Sequence, residues 1–324
     1  MKRAILFLNL GGPENQEGVK PFLYRLFVDP EIIRIRFTPL RKLVAWLIAT
    51  SRVGKSKKLY ADIGGGSPIR RLTDQQSAGV EAILAKSKRD VTVHTAFTCS
   101  PPLVEDVIAS LSRKGVERVL AMPLYPQYSL TTTKGALDRT RAAVKRHKKM
   151  ECFEVGSWPE NAMFAQAHAE LIRGEAAQFQ EPNDARIHLL FSAHSIPEKL
   201  VTMNGDPYKR EVEASVAAIV KAAEWRGGFS LAWQSKLGPV KWLSPSTRDA
   251  LFELGAKKVP QVLVVPVAFV TDHIETLHEI DIEFREDAMR AGIREFRRTR
   301  GLNNHPVFLE GLAQIALGQK DFWA

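Results

Sequence analysis

The sequence predicts an α/β protein built from two similar halves, each carrying a buried parallel sheet. Three observations lead there. Continuous apolar runs alternate along the chain with helical patterns, the signature of strands covered on both faces. At 324 residues the chain exceeds the ~250 residues that one core usually holds. Finally, Val119-Leu-Ala-Met-Pro-Leu124 is echoed by Val262-Leu-Val-Val-Pro-Val267, and both runs lead into polar loops. Ile5-Leu-Phe-Leu8 and Ile187-His-Leu-Leu-Phe191 are likewise paired, each preceding a Gly- or Ser-bearing turn. The halves are expected to meet near residue 150, giving domains at 1–150 and 151–324, with room for the last helix to pack back on the first domain.

The strands follow from the apolar runs at 4–10, 91–97, 118–123, 187–192 and 262–268. Between them, helical spacing marks 75–86, 103–114, 135–148, 161–178, 207–226 and 247–254. Ligands of open parallel sheets sit beyond the carboxyl ends of the strands. Four segments fall there: Gly11-Gly12-Pro13, 125–133, 192–197 and 271–275. A cleft between the two domains, lined by these loops, is the expected site.

Composition narrows the class. With 45% hydrophobic and 25% charged residues the chain reads as globular, and no apolar run approaches the ~20 residues that span a bilayer. The opening Met-Lys-Arg and the short run 4–8 lack the core and cleavage site of a signal peptide. Cys99 and Cys152 are too few for a disulfide framework or a four-thiolate cluster, so a reducing, cytoplasmic setting is expected. A net charge of +10 favours anionic partners: a membrane surface, nucleic acid or a carboxylated ligand.

Residues 271–286 reverse that charge. Read as an α-helix, Asp272, Glu275, Glu279, Glu283 and Glu286 fall within roughly 80° of arc, opposite Ile274, Leu277, Ile280 and Phe284. Stacked carboxylates weaken a helix by a few tenths of a kcal/mol per pair. A divalent cation or a proton relay would offset that, and a face turned to water would tolerate it. His273 stands beside Asp272 at the start of the stripe.

Phe191-Ser-Ala-His194-Ser-Ile-Pro197 places a histidine past a strand end, where imidazole can accept a proton near pH 7, bind a metal or serve a structural role. No Gly-x-Ser-x-Gly elbow is present, which argues against hydrolase chemistry. Ile63-Gly-Gly-Gly-Ser-Pro68 lacks nucleotide-binding spacing, and Gly54-Lys55-Ser56 fails the P-loop pattern because position 49 is alanine, so the triple glycine reads as a tight turn. The run 231–242 interleaves Trp233 and Trp242 with Lys236 and Lys241, which suits a flat π ligand with acidic groups, nucleic acid, or a packed core. Neither a helix-turn-helix nor an RNA-binding motif supports nucleic acid. The run 39–49, with Leu43, Trp46 and Leu47, is flanked by Arg52, Lys55, Lys57 and Lys58 and reads equally as a core helix or one lying among anionic headgroups.

Taken together, eight ordered motifs resemble the ferrochelatase family, enzymes that insert ferrous iron into a porphyrin in haem synthesis. They are Leu8-Asn-Leu-Gly-Gly-Pro13, Phe22-Leu-Tyr-Arg-Leu-Phe27, Ile63-Gly-Gly-Gly-Ser-Pro-Ile69, Tyr125-Pro-Gln-Tyr-Ser129, Phe191-Ser-Ala-His-Ser195, Gly205-Asp-Pro-Tyr208, Trp233-Gln-Ser-Lys236 and Asp272-His-Ile-Glu-Thr-Leu277. The resemblance implies two Rossmann-like, doubly wound domains with the porphyrin in the cleft between them. It implies catalytic and metal-handling roles for His194 and Glu275, and an acidic metal or proton path through Asp272, His273, Glu279 and Glu283. Leu10, Arg52, Tyr60, Ser67, Tyr125, Ser235, Lys236 and Trp242 match porphyrin-binding positions, and Leu43, Trp46 and Leu47 match a membrane-facing lip.

This chain departs from the family pattern in places. Leu10 cannot ligate iron where relatives often carry methionine or tyrosine. Thr98 and Cys99 stand in place of an Arg-Tyr pair of animal relatives, and Leu130 in place of a cysteine, so no iron–sulfur cluster is expected. Fe2+ is then a substrate, and no tightly bound cofactor is expected. The implied activity is formation of protohaem from protoporphyrin IX, by a cytoplasmic protein in peripheral contact with the inner face of the membrane, receiving porphyrin from the preceding porphyrinogen oxidase. The rivals are a coproporphyrin III enzyme of the same fold, a non-catalytic haem carrier with no need of Glu275, and a basic nucleic-acid-binding module.

Overall fold

The computed structural model describes residues 1–30, 32, 33, 35–236, 238 and 240–324. The chain forms two compact units: Met1–Tyr125 with Ser129–Ser157 and Leu312–Ala324, and Pro126–Tyr128 with Trp158–Gly311. The division along the chain therefore falls at 157/158 rather than 150/151, and the last thirteen residues belong to the first unit.

The first unit runs β1 (Lys2–Asn9), α1 (Val19–Val28), α2 (Thr38–Asp62), α3 (Ile69–Lys86), β2 (Thr92–Phe97), α4 (Val104–Arg113), β3 (Val116–Pro123), α5 (Thr133–Val144) and β4 (Glu151–Glu154). Its strands pair in the order β2-β1-β3-β4, all parallel. Residues 4–8 of β1 are wholly buried because helices cover both faces of the sheet. On one face Leu6, Leu8, Val119 and Ala121 pack against Val104, Ile108 and Leu111 of α4, which repeat at i, i+4, i+7. Each such side chain contributes about 1.5–3 kcal/mol of burial. The chain end docks here too: Arg3 and Arg118 donate to the Phe322 carbonyl, and the Phe322 ring is buried.

The second unit runs α6 (Ala162–Ala176), β5 (Ile187–His194), α7 (Glu198–Asn204), α8 (Tyr208–Ala222), β6 (Phe229–Gln234), α9 (Thr247–Ala256), β7 (Gln261–Pro266), a π-helix (Glu275–Phe284), α10 (Arg285–Arg290) and β8 (Glu295–Arg298), before α11 (Pro306–Leu317) and α12 (Lys320–Trp323). Its strands pair in the order β6-β5-β7-β8, again all parallel, so the two sheets share one topology. That identity is the structural basis of the internal echo, since 119–124 and 262–267 run along β3 and β7, the strands in matching positions. Every strand expected from an apolar run is present. The three additional ones, β4, β6 and β8, are sheet edges, where one flank lacks a partner strand and a polar sequence such as Glu295-Phe-Arg-Arg298 suffices.

One expected element differs in kind. Residues 275–284 are not α-helical: they form a π-helix, bonded i→i+5, that passes into α10. The wider turn takes the carboxylates out of the single stripe that α-helical spacing predicts.

Candidate active site

The site lies within the second unit, where β5, β6 and the segment after β7 end side by side. Buried parallel strands deliver their last residues to one edge, and β5 ends on His194 with Gln234 of β6 as its register partner. Tyr208 donates its hydroxyl to the His194 carbonyl at 3.0 Å and packs against Trp233, ring centroids 6.0 Å apart. Gly205 ends α7 with φ +68, and Asp206 Oδ1 accepts from the Tyr208 amide, so Gly205-Asp-Pro-Tyr208 is the turn that aims this tyrosine.

His194 Nδ1 lies 2.8 Å from Glu275 Oε2. Glu275 opens the π-helix; burial raises its pKa, but His194, His273 and Ser235 together lower it more, leaving the carboxyl at about 2 and ionised throughout the physiological range. Burial works against charge on His194, but the Glu275 and Glu279 carboxylates together outweigh it and raise the imidazole above its ordinary value. With Nδ1–H given to Glu275, neutral His194 presents the Nε2 lone pair, and its side chain keeps 40% exposure. That nitrogen can take a proton or bind a metal ion.

Behind the pair sits a polar chain that joins the Phe191–Ser195 and Trp233–Lys236 motifs to the acidic stripe. Ser192 Oγ donates to Gln234 Oε1 at 2.6 Å, which orients the amide so that Nε2 donates to Glu279 Oε2 at 3.2 Å and to the Glu275 carbonyl at 3.3 Å. Ser235 holds a left-handed conformation, φ +63, costly for a residue with a Cβ. That conformation lets its amide donate to Glu279 Oε1 at 2.9 Å, while Oγ lies 2.9 Å from Glu275 Oε2 and 2.5 Å from Glu279 Oε2. Burial, followed by repulsion from Glu275, raises the Glu279 carboxyl to about 7. His194, Glu275, Ser235 and Glu279 thus form a continuous line of proton-exchanging groups.

The remaining acidic-stripe residues have other partners. The Asp272 carboxylate accepts from Arg298 Nη1 (2.8 Å), the Gly301 amide (3.1 Å) and Asn303 Nδ2 (2.7 Å), with Thr276 Oγ1 2.9 Å away. Its oxygens are already committed. Glu283 lies 3.4 Å from His278, and Glu286 pairs with Arg290 at 2.9 Å. His273 Nδ1 is 2.9 Å from the Thr271 carbonyl, and its ring meets Phe269, which also meets His194 edge-on. Phe269 and Arg298 carry no sequence signal beyond their residue type. Among the described residues, no cluster of three or more His, Cys, Asp or Glu could hold a metal ion. A two-residue donor set of nitrogen and oxygen suits an iron ion in transit.

In the run 231–242, Trp233 is a core residue, Lys236 Nζ lies 4.0 Å from Asp249 Oδ2, and Trp242 bridges to Pro197. Leu237 and Pro239 of that run lie outside the described residues.

The first unit holds the other expected positions. Leu10 follows β1, with its carbonyl accepting from Cys99. Ser67 donates its amide to the Pro13 carbonyl and packs so closely on Gly12 that a Cβ there would lie 2.7 Å from its own. Tyr60 is buried, and its carbonyl accepts from Gly65, whose φ of +95 closes the turn of the triple glycine. The Arg52 guanidinium stacks 5.5 Å from the Phe27 ring. Tyr125 is half-buried. On α2, Leu43, Trp46 and Leu47 are 54, 49 and 53% exposed, which rules out the core-helix reading for that face.

A histidine–carboxylate pair at the strand ends of a parallel-sheet unit can exchange protons and offer a nitrogen to a metal ion. The chain belongs to the ferrochelatase family, whose model matches residues 2–320. It is 47% identical over 317 residues to a ferrochelatase of a Synechococcus species, covering 97% of this chain and 92% of that one. A Cyanothece ferrochelatase is 43% identical over 317 residues, covering 97% and 81%. Among solved structures, SirB from Bacillus subtilis with Fe3+ superposes with a TM-score of 0.57 at 11% identity, covering 98% of this chain and 96% of that one. A multi-domain Deinococcus radiodurans protein described as similar to chelatases gives 0.55 at 12% identity, covering 98% and 54%. These two establish the fold. The reaction is metal insertion into a porphyrin, in haem biosynthesis.

Proposed function

We propose that the enzyme inserts Fe2+ into protoporphyrin IX while in contact with a membrane surface, releasing two protons per protohaem formed. The observation that carries the substrate assignment is α2. Its outward face bears Leu40, Leu43, Trp46 and Leu47 at helical spacing, all at least 46% exposed, with Arg52 and the lysines at 55, 57 and 58 one to three turns on. An apolar stripe ending in cations suits a macrocycle with two carboxylates that partitions into lipid, and equally suits an anionic leaflet. Among the described residues, no helix is long and apolar enough to cross a membrane; the contact in this reading is peripheral. Such a surface could receive porphyrin directly from the preceding oxidase, at the inner face of the cytoplasmic membrane.

In this reading His194 Nε2 accepts a pyrrole proton and Glu275 stabilises the imidazolium that forms. Each pyrrole N–H bond breaks as an N–Fe bond forms, and the two protons leave as two positive charges arrive. Glu279, reached through Ser235, takes protons onward, with His273 and Glu283 on the same path by family resemblance, whereas the Asp272 carboxylate is committed to Arg298, Gly301 and Asn303. Leu10, Tyr60, Ser67, Tyr125, Lys236 and Trp242 shape or contact the porphyrin by family resemblance, and Arg52 pairs with a propionate. No iron–sulfur cluster or other bound cofactor is required.

Anaerobic Fe2+ insertion into protoporphyrin IX and coproporphyrin III, followed side by side by loss of free-base fluorescence with and without anionic vesicles, tests the proposal. Preference for protoporphyrin, enhanced by vesicles, is expected. Preference for coproporphyrin would overturn the substrate assignment and leave the site chemistry standing.

A further inference from the structure

The π-helix carrying Glu275 and Glu279 is tied down by side chains five residues apart. Thr276 Oγ1 lies 2.9 Å from Asp272 Oδ1, and Asp272 accepts from Arg298 Nη1 at 2.8 Å. The same guanidinium donates from Nε and Nη2 to Asp281 at 2.8 and 2.7 Å, a bidentate pair. Thr276 and Asp281, at i and i+5, thus meet in one network closed by Arg298. His278 and Glu283, also i and i+5, form a second tie at 3.4 Å.

In an α-helix, residues five apart point about 140° away from each other. With i→i+5 bonding and roughly 4.4 residues per turn they lie about 50° apart, on one side of the helix. Arg298, which holds Asp281 directly and Thr276 through Asp272, therefore favours the π register, in which these two residues share a side of the helix, over the α register, which turns them about 140° apart. The register matters at the site. Glu279 trails Glu275 by four residues, about +40° in an α-helix and about −30° in a π-helix, a difference near 70°. That rotation would lift Glu279 from the Ser235 amide and hydroxyl and from the Gln234 amide, all of which it now meets.

We propose that Arg298 is a positioning residue that holds residues 275–284 in the π-helical register and so places Glu279 beside Glu275 on Ser235. It acts from the edge strand β8, with 7% of its side chain exposed, and touches neither His194 nor Glu275. The inference rests on the assignment of Glu275 and Glu279 to the reaction.

The test compares wild type, Arg298→Met, Arg298→Lys, the isosteric Asp281→Asn and the Arg298→Met/Asp281→Asn double variant, with Glu275→Gln as control. The readouts are porphyrin affinity by fluorescence quenching, kcat for Fe2+ insertion, and amide hydrogen exchange across the π-helix. Arg298→Met and Asp281→Asn should lower kcat by roughly 10- to 100-fold, the scale of a misplaced catalytic group, with porphyrin Kd unchanged. The double variant should be no worse than the worse single, because both remove one clamp. Lysine, which cannot reproduce the fork, should rescue only partly. Exchange in the helix should quicken in step with the kcat loss.

Wild-type kcat in folded Asp281→Asn, or unchanged helix exchange in either single variant, would overturn the clamp. So would a kcat loss that vanishes on assay well below the variant's Tm. Full turnover by Glu275→Gln would sink the site assignment instead, and the exchange data would still judge the clamp.

Discussion

His194 Nδ1 and Glu275 Oε2, 2.8 Å apart, join the last residue of one strand to the first residue of a π-helix 81 positions later. The bond fixes which ring nitrogen carries the proton in the neutral imidazole and which is offered to substrate. It also sets the charge of the resting site: Glu275 stays ionised and His194 is held protonated to higher pH than usual.

The first prediction concerns pH. A base works when deprotonated, so kcat/KM for metal insertion should rise with pH through a midpoint above the ordinary histidine value of 6.5. The charged groups that act on the imidazole are Glu275 and, more weakly, Glu279. Glu275→Gln removes the dominant anion, leaving burial to act, and should move that limb to lower pH while reducing the plateau by about 100-fold. A limb that stays in place would detach the titration from this pair.

Glu279 should reveal itself through stability. Its carboxyl is raised to about 7, so the folded state holds a proton that the unfolded chain releases near 4.5. Native stability is therefore favoured below pH 4.5 and declines as pH rises toward 7. Glu279→Gln should stabilise the fold relative to wild type at pH 8, by on the order of 1 kcal/mol and with a higher Tm, and show little or no gain at pH 5. Thermal melts at the two pH values check the sign; equal shifts at both would refute it.

Asp272 and Glu286 were equivalent members of one predicted stripe, yet they should behave differently. Asp272 is committed to Arg298 in a buried pair, with 7 and 11% side-chain exposure, whereas Glu286 and Arg290 are both more than 60% exposed. Asp272→Asn should cost about 3 kcal/mol, and Glu286→Gln less than about 0.5 kcal/mol. Urea titration of both variants resolves the difference.

The exposed stripe on α2 predicts membrane partition. Trp46 carries a Lys20 ammonium 5.4 Å from its ring, so the aromatic sits within a cationic surround. Trp46→Ser with Leu47→Ser should release the protein from anionic liposomes in a flotation assay, and retain insertion of a detergent-solubilised porphyrin. Unchanged flotation would reject the lip.

How far the sequence reaches depends on where the specifying residues lie. The central strands β1, β3, β5 and β7 are legible because burial on both faces demands continuous apolar runs. β8 is not legible, since an edge tolerates Glu295-Phe-Arg-Arg298. His194 and Glu275 stand out by position after strand ends and by family resemblance. The π-helix cannot be read from its own ten residues, because the network joining Thr276 to Asp281 depends on Arg298, supplied from a strand formed later in the chain. Trp233, whose setting in the run 231–242 suits a flat ligand or a packed core, is core, whereas its neighbours Gln234 and Ser235 turn toward the carboxylates. Only the positive φ at Ser235 permits that, and a serine gives no warning of it.

The most direct test of the account is single-turnover, anaerobic Fe2+ insertion by His194→Ala, measured beside porphyrin affinity on the same preparation. Removal of the acceptor that Glu275 orients should slow insertion by roughly 10²–10⁴-fold, the usual contribution of a general base, and leave porphyrin Kd within about twofold of wild type. Insertion at the wild-type rate with porphyrin bound would contradict the assignment of His194 and, with it, the chemistry proposed for this site.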